Sequence, residues 1–311
     1  MKKVLILLTV ITLLLSTSVF AADFKDMPDN WATEALNAAV DNGLINGSDG
    51  YIYPDNPMTR AEMAAIITRA TGAKKEADIS KFTDVTKDDW FYSVMAKAVN
   101  MKAFNGSNGK LNPNSNITRQ EAFVVLARVF GLDKLADKEF TELSKFSDGI
   151  EVADWAKKEV NMIIKSGFVS GSGGKINPLS NITRAEFAVV MNRLVKYYID
   201  EPGEYTPEND GNIMIRCSGV TINDLATDKI VCVGDLDESE EVIFNKCDIK
   251  GQMILRGGKS IIDGNYVSIK GLGKAVTVDI TTLSADVIKN LDIFMDGGSV
   301  YIDYLRMGNN E

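Results

Sequence analysis

Apolar positions in the first 200 residues follow a helical spacing that recurs three times. An i, i+3, i+4, i+7 spacing puts apolar side chains on one face of a helix. These runs are Met63, Ile66, Ile67 and Ala70; Phe123, Leu126, Ala127 and Phe130; and Phe187, Val190, Met191 and Leu194. A shorter helix precedes each run, the first from Trp31 to about Asn42. Because one helix pair cannot bury its apolar face alone, the pattern predicts a pseudo-threefold α-helical bundle with the second helices inside.

Each second helix begins with the same short motif, Thr-Arg-x-Glu. Thr at the N-cap and Glu at N3 form a capping box, in which each side chain satisfies a backbone N–H. The Arg has no such local explanation, because a cation in the first turn opposes the helix dipole by up to about 1 kcal/mol. We therefore expect these side chains to hold an anion, assisted by free N–H groups of the helix N-terminus. They are Arg60, Arg119 and Arg184.

The pattern changes after residue 211, where short apolar runs replace the helices. Ile213-Met214-Ile215, Val220-Thr221-Ile222 and the run from Glu241 to Phe244 are examples, and Gly, Asn and Asp separate many of them. Short strands that turn every ten or so residues predict an all-β module and favour a β-solenoid. The segment between the two parts, Glu201 to Gly211, contains two Pro and two Gly and is predicted to be a linker.

Composition and charge limit the classes of protein. The chain has 311 residues, of which 45% are hydrophobic and 25% charged, as in globular proteins. Lys2 and Lys3, an apolar run from Val4 to Leu15 and a small-x-small site before Ala22 predict a cleaved secretory signal. Its removal would change the net charge from −9 to −11, which argues against nucleic acid or anionic membranes as partners. No later stretch predicts a membrane-spanning segment in the mature chain.

The chemistry of the side chains is also restricted. The chain has no His, which excludes Ser-His-Asp and Cys-His catalysis and the usual His-containing zinc sites. No metal site and no cofactor are predicted. The three Cys residues, spaced 15 apart, are expected to be buried small apolar residues, with a disulfide between two of them as the alternative. They are Cys217, Cys232 and Cys247.

Further motifs mark the boundaries of the repeats. Each unit opens with Phe-x-Asp, continues with one of the three tryptophans of the chain, and then has Gly-Ser before the Thr-Arg helix. The resulting division is a signal peptide at 1–21, repeats at 22–79, 80–142 and 143–200, a linker at 201–211 and a β module at 212–311.

Four motifs in this order, three times over, resemble the S-layer homology domain family across about residues 23–200. The resemblance implies a three-pronged, pseudo-trimeric α-helical domain with binding grooves between neighbouring units. It also implies noncovalent binding to a secondary polysaccharide of the bacterial cell wall, usually one with pyruvate ketals on N-acetylmannosamine.

The resemblance also assigns roles to the repeated residues. Arg60, Arg119 and Arg184 would hold the pyruvyl carboxylate, for which a planar guanidinium is suited. The residues that would pack on sugar faces are Trp31, Trp90 and Trp155. The residues that would accept sugar hydroxyls or orient the Arg are Asp26, Asp84 and Asp148. The ligand would approach backbone N–H groups at Gly47, Gly106 and Gly171. It would accept hydrogen bonds from Ser48, Ser107 and Ser172.

Structural alternatives stand beside these roles. The tryptophans could be core residues, and the Asp and Gly-Ser motifs could be turn residues only. The capping residues Glu62, Glu121 and Glu186 are not expected to be ligands. Unit two has Gln120 where the others have Ala, and this bulk beside Arg119 could alter the fit of its groove.

A second resemblance concerns the β module. The segment from Val242 to Gly251, followed by Leu255 to Gly258, resembles right-handed β-helix segments attached to surface-layer proteins of Gram-positive bacteria. It implies a stacking or display module. The chain is thus predicted to be a secreted, non-enzymatic cell-surface or S-layer protein anchored to wall polysaccharide, with neighbouring surface-layer subunits as further partners.

Two other functions remain open from the sequence. One is a wall-anchored polysaccharide lyase or hydrolase with a catalytic β-helix, although its candidate carboxylates form no recognisable motif. These are Asp263, Asp279, Asp292, Asp296 and Asp303. The other is binding of an outer-membrane-linked polymer in a Gram-negative host.

Overall fold

A computed structural model describes residues 24–132, 139–237, 239–249 and 251–262, and the backbone of four later strands between 265 and 302. The predicted signal segment and four of the five candidate carboxylates lie outside these residues, and only the backbone of Asp292 is described. None of the helices in the described ranges is both long and apolar enough to cross a membrane.

The described part of residues 24–194 contains six α-helices, two in each unit. They are α1 (Thr33–Asp41), α2 (Arg60–Ala70), α3 (Tyr92–Asn100), α4 (Arg119–Val129), α5 (Lys157–Lys165) and α6 (Arg184–Leu194). Most residues of α2, α4 and α6 are buried, as the apolar spacing predicts. Short 3-10 turns at Leu143–Lys145 and Gly149–Glu151 lead into the third unit.

The three units close into a ring. Helix α2 packs against α3, α4 against α5, and α6 against α1, so each second helix packs on the first helix of the next unit. The backbone closes a smaller ring at the helix starts, where Met58 N–H donates to Ile182 O, Ile117 N–H to Met58 O and Ile182 N–H to Ile117 O. All three side chains are fully buried. The pseudo-threefold arrangement is therefore fixed by main-chain hydrogen bonds as well as by the core.

The second part is a β-solenoid, as predicted. Its strands are β1 (Tyr197–Ile199), β2 (Gly203–Tyr205), β3 (Ile213–Ile215), β4 (Val220–Asn223), β5 (Ala226–Thr227), β6 (Val231–Val233), β7 (Glu241–Asn245), β8 (Asp248–Ile249), β9 (Met253–Leu255), β10 (Lys259–Ile262), β11 (Asn265–Ser268), β12 (Val276–Val278), β13 (Leu291–Ile293) and β14 (Val300–Ile302).

Parallel pairing stacks these strands into successive turns. One sheet has the order β1-β3-β6-β9-β13, and another runs β2-β4-β7-β10 with β11 added antiparallel at its edge. The short strands β5 and β8 pair on a third side. Side chains in register, such as Ile213, Val231 and Met253, are buried in the interior. Each turn therefore covers the apolar side chains of the turn before it.

The solenoid begins earlier than the sequence indicates. Strands β1 and β2 pair in parallel with β3 and β4, so they form an initial partial turn. The segment predicted as a linker thus contains β2, and Gly203 N–H donates to Gly219 O. The last residues of the predicted third repeat likewise belong to β1. No separate linker lies between α6 and the solenoid.

One sheet of the solenoid packs against the C-terminal ends of the inner helices. Met214, Ile230, Cys232 and Ile254 belong to the same apolar cluster as the helical core. Three solenoid side chains donate hydrogen bonds to the last turns of α6, α2 and α4: Asn212 to Leu194 O, Arg216 to Arg69 O and Arg256 to Val129 O. Carbonyls in the last turn of a helix have no intrahelical partner. The solenoid therefore caps all three inner helices.

None of the three cysteines forms a disulfide. Cys232 and Cys247 are buried, and Cys217 is half-buried. The prediction of small buried residues is confirmed for two of them, and no disulfide joins any of the three.

Candidate functional site

The repeated arginines link each unit to the next. The Nε of Arg60 donates to Leu111 O at 2.9 Å. Arg119 and Arg184 repeat this contact with Ile176 O and Ile52 O, each at 2.8 Å. The three bonds run from unit one to two, two to three and three to one. Their side chains are only 15%, 12% and 11% exposed, in the order Arg60, Arg119 and Arg184.

The capping glutamates have a second role that the sequence did not predict. The Oε2 atoms of Glu62, Glu121 and Glu186 accept from the N-cap threonine N–H, which completes the predicted capping boxes. Their Oε1 atoms pair with the arginines of neighbouring units: Arg60 with Glu121 at 3.2 Å, Arg119 with Glu186 at 2.7 Å and Arg184 with Glu62 at 3.4 Å. Each glutamate therefore compensates both a helix start and a buried cation.

Burial and neighbouring carboxylates have opposite effects on two of these arginines. Burial lowers the pKa of the Arg60 guanidinium, while Glu121 and Asp84 raise it. Burial also lowers the pKa of Arg184, and Glu62 opposes this effect. Arginine has so high a pKa that it remains protonated after such a shift.

The expectation of free helix N–H groups is wrong. The N–H of Arg60 donates to Ser115 O, and that of Ala61 donates to Pro113 O. The same pair of bonds recurs at the starts of α4 and α6, where loops of the next unit supply the carbonyls. These donors are used in joining the units, so an anion at this ring would depend on the guanidinium groups.

Two of the three arginines keep a donor available. Among the described residues, the Nη2 groups of Arg60 and Arg119 make no hydrogen bond, since their contacts use Nε and Nη1. Arg184 differs, because its Nη2 donates to Asn46 O at 3.0 Å. The ring is therefore threefold in topology but not in free hydrogen-bonding capacity.

Two clefts open beside the arginines with free donors. The first has a volume of about 480 Å³ and is lined by Arg60, Ser107, Asn112, Arg128 and Trp155, among others. The second has a volume of about 380 Å³, and its lining includes the counterparts Arg119, Ser172, Asn177, Arg193 and Trp31. Each cleft takes its arginine, its Gly-Ser loop and its tryptophan from three different units. The ring closure is what brings these residues together.

The tryptophans are surface residues, so the core-packing alternative is wrong for all three. Trp31, Trp90 and Trp155 are 65%, 64% and 55% exposed. Trp31 and Trp155 line the two clefts, and Trp90 packs edge-on against Phe91 with ring centroids 5.5 Å apart. An exposed indole at the edge of a polar cleft is suited to contact with a sugar face.

The repeated aspartates brace the loops that carry the carbonyl acceptors. The two carboxylate oxygens of Asp148 accept from Ile176 N–H at 3.0 Å and Asn177 N–H at 2.7 Å. Asp26 and Asp84 do the same in units one and two. The braced residue, such as Ile176, is the one whose carbonyl accepts from the arginine. The aspartates thus position the arginines through the loop backbone. This agrees with the structural alternative, in which they order a turn.

Replacing Asp148 by Asn is expected to destabilise the fold by about 1–3 kcal/mol. The amide has only one acceptor oxygen, so one of two inward N–H groups would lose its partner, and this costs about that much. Chemical denaturation of the protein over residues 22–311 would measure the change. Asp154→Asn is the matched control, because Asp154 is exposed and pairs only with Lys157. Equal stability of the Asp148 and Asp154 variants would contradict the bracing role.

The repeated glycines serve packing within each unit. A Cβ at Gly47, Gly106 or Gly171 would lie 2.0, 2.4 or 2.7 Å from a ring carbon of the Phe that opens the same unit. These distances are shorter than real Cβ contacts, so any side chain would displace the ring. The adjacent Ser107 and Ser172 line the clefts, whereas the Ser48 hydroxyl bonds the Asp49 carboxylate.

A second set of arginines was missed in the sequence. Arg128 and Arg193 line the two clefts, and Arg69 holds the same place in unit one. Arg128 pairs with Glu159 at 3.2 Å, and Arg193 contacts Phe168 O and Ser170. The signal was present, because each lies nine residues after the first arginine of its unit. A cation in the last turn agrees with the helix dipole, so its position alone does not indicate a ligand.

The size of Gln120 suggested that it could alter the fit of a groove, but its side chain lies in the interior. Its Oε1 accepts from Ala153 N–H at 3.0 Å, and the side chain is buried. This bond fixes the turn that precedes Trp155, which lines the first cleft. Unit two therefore uses the extra side chain to position a residue of unit three.

Comparisons with known proteins agree with the repeat structure. Residues 23–64, 81–123 and 145–188 match the S-layer homology domain family. The chain is 33% identical over 238 residues to the surface-layer 125 kDa protein of Lysinibacillus sphaericus, which covers 73% of this chain and 19% of that protein. It is 25% identical to the S-layer protein sap of Bacillus anthracis over 56% of this chain and 21% of the relative.

Enzymes also carry the matching region. An amylopullulanase of Thermoanaerobacterium thermosulfurigenes is 30% identical over 175 residues, 56% of this chain but only 9% of the enzyme. The chain thus spans about a fifth or less of the length of these relatives. Taken together, the matches indicate a secreted protein located at the cell wall or cell surface. The resemblance seen in the sequence is confirmed: the chain carries three S-layer homology domains, followed by a β-solenoid.

Proposed function

We propose that the chain anchors itself to the bacterial cell wall by binding an anionic secondary polysaccharide in the two clefts. The observation that carries this proposal is the free Nη2 donor of Arg60 and of Arg119 at a cleft that also has an exposed tryptophan. A guanidinium with a free edge can accept a carboxylate, and the indole can pack on the adjoining sugar. A pyruvate ketal on N-acetylmannosamine is a ligand of this kind, since it combines a carboxylate with a pyranose ring.

Several features support an acidic glycan over other anions. The chain is acidic overall, with a net charge of −9, so its overall field does not attract nucleic acid, and an anionic ligand must be held by cations within the clefts. Each cleft supplies a second cation from the last turn of the lining helix, Arg128 or Arg193. Each cleft thus has two cations for the carboxylate of one charged sugar and an aromatic face for a sugar ring.

The test uses the full mature chain, residues 22–311, because the solenoid shares the helical core. Purified walls are divided, and one half is stripped of secondary polysaccharide by acid to leave peptidoglycan. We expect binding to intact walls and little to stripped walls. A third portion, with its carboxyl groups reduced to alcohols, should bind far less than intact walls. Equal binding to intact and stripped walls would overturn the proposal.

We propose further that the chain itself is not an enzyme. The described turns of the solenoid have an apolar interior, with buried Val220, Val242 and Phe244 in successive turns. Within the described residues, no three His, Cys, Asp or Glu side chains cluster as a metal site would require. The similar enzymes match over the S-layer homology region alone. Release of reducing ends from any wall or plant polysaccharide by the mature chain would contradict this proposal.

A further inference from the structure

The third position in the ring, between units three and one, differs from the two clefts in its chemistry. Here the arginine is Arg184, and each of its three guanidinium nitrogens donates a hydrogen bond, to Ile52 O, Glu62 and Asn46 O, so it has one N–H fewer to offer than Arg60 or Arg119. The Ser48 hydroxyl, which corresponds to Ser107 and Ser172, is bonded to Asp49. The Nη2 group and the serine hydroxyl, which could contact an anion at the other two positions, are therefore each engaged in a hydrogen bond at this one.

The loop charges also change at this position. Residues 47–58 carry Asp49 and Asp55 and no cation, whereas residues 106–117 and 171–182 each carry one lysine and no acid. An acidic loop disfavours a carboxylate ligand by like-charge repulsion. The loop charges at this position therefore favour an uncharged ligand.

Two exposed tyrosines stand where the other units have Lys and Asn. Tyr51 and Tyr53 correspond to Lys110 and Asn112 in unit two, and Asn112 lines the first cleft. The rings are stacked with centroids 5.8 Å apart, and they are 37% and 38% exposed. The intervening Ile52 is fully buried, so the loop holds both rings toward solvent. We call these two residues the tyrosine platform.

The backbone under the platform is strained for this residue type. Tyr53 has φ 54°, in the left-handed region, as do Asn112 and Asn177 at the same place in the other units. Asparagine adopts this conformation readily, but a bulky aromatic residue rarely does. Strained residues that the fold retains are concentrated at functional sites. The tyrosine is thus retained at a position where asparagine would stabilise the same loop.

A cation completes the surface. The Nζ of Lys25 lies 5.0 Å from the centre of the Tyr51 ring, and Lys25 N–H donates to Gly50 O in the same loop. An ammonium has three donors for hydroxyl groups. A neutral pyranose can stack on flat aromatic rings while its hydroxyl groups accept hydrogen bonds from a nearby donor. Such recognition needs no free guanidinium.

We propose that the tyrosine platform is a separate subsite for uncharged sugar residues of the polysaccharide, which stack on Tyr51 and Tyr53. The proposal rests on the proposed anchoring function for the source of the sugar. The three positions of the ring would then read two different features of one glycan: carboxylates at two clefts and a neutral pyranose at the third. Contacts at several positions raise the overall avidity without any single tight site.

The test pairs a small probe with a double variant of the full mature chain. The probes are the methyl glycosides of N-acetylglucosamine and N-acetylmannosamine, which carry no charge. In protein with ¹³C-labelled tyrosine rings, we expect millimolar probe to shift the Tyr51 and Tyr53 signals. Saturation transfer from protein to probe should fall at least twofold in the variant Tyr51→Ala, Tyr53→Asn. Unshifted tyrosine signals, or unchanged transfer in the variant, would overturn the proposal.

Two controls make the result interpretable. Lys110→Ala changes the unit-two counterpart of Tyr51 and should leave the tyrosine shifts and saturation transfer unchanged. The double variant should fold at least as well as the parent, since Asn suits the backbone at position 53. The chemical shifts of the tyrosine signals in the parent protein also test probe binding without any variant.

The outcome is separable from that of the anchoring proposal. Tyrosine shifts without binding to intact walls would support the subsite and reject the anchoring. Wall binding without tyrosine shifts would support the anchoring and reject the subsite. Absence of both would reject the two proposals together.

Discussion

Replacing Arg60 and Arg119 together by lysine is expected to weaken binding to intact walls at least tenfold, or by about 1.4 kcal/mol. Lysine keeps the positive charge near Glu121 and Glu186 but has no planar fork, so the donor that faces each cleft is lost. A carboxylate that was held by two parallel N–H groups would then have a point charge only. Sedimentation of the full mature chain with walls at graded concentrations would measure the change.

Arg184→Lys is the matched control for this prediction. Its Nη2 is bonded to Asn46 O, so it has fewer N–H groups to offer a carboxylate than Arg60 or Arg119. We expect the same loss of stability as for Arg60→Lys, because both side chains bridge neighbouring units, but wall affinity within about twofold of the parent. If Arg184→Lys weakened wall binding as much as the double variant, the arginines would act through the fold and not as ligands.

Arg216→Ala is expected to destabilise the whole molecule by about 3–5 kcal/mol. Arg216 pairs with Asp200, and its other donors bond Arg69 O and Asn42 O at the ends of α2 and α1, each at 3.1 Å. Each of the two helix-end carbonyls would lose a charged donor, which costs about 1.5–3 kcal/mol apiece, while the ion pair adds little because Asp200 is 46% exposed. Scanning calorimetry should show a midpoint lower by about 10 °C.

The calorimetric trace also tests the shared core. Because the solenoid and helices share one apolar cluster, the parent and the variant should each unfold in one transition. Lys157→Ala provides the comparison, since the Lys157–Asp154 pair is exposed and should contribute less than about 1 kcal/mol. Two separated transitions in the parent, with only the second shifted by Arg216→Ala, would show that the two parts fold independently.

The helices could be predicted because their signals are local. The capping boxes at Thr59, Thr118 and Thr183 set the first residue of α2, α4 and α6 within one residue. Gly43 and Gly167 directly follow the C-cap residues of α1 and α5, and both have positive φ, as is common for a glycine after a helix. Periodicity and capping depend on residues within one turn, so a sequence displays them directly.

The site was only partly predictable, because its contacts join distant residues. Arg60 and Glu121 are 61 positions apart, and each residue already had a local interpretation. The pairing becomes visible only when the ring is closed. Strands β1 and β2 were missed for a similar reason: the segment from Tyr197 to Tyr205 contains Pro202 and Gly203, and only pairing with β3 and β4 orders it.

The capping of three helix ends by the solenoid has a mechanical consequence. With the proposed glycan bound at the arginine ring, shear on a surface protein would pull from the solenoid side. Helices α2, α4 and α6 each have the arginine ring at their N-termini and a solenoid side chain at their last turn. Tension would be shared among these three helices, because hydrogen bonds and a common apolar cluster join each of them to the described part of the solenoid. Detachment should therefore occur at the glycan before the protein extends.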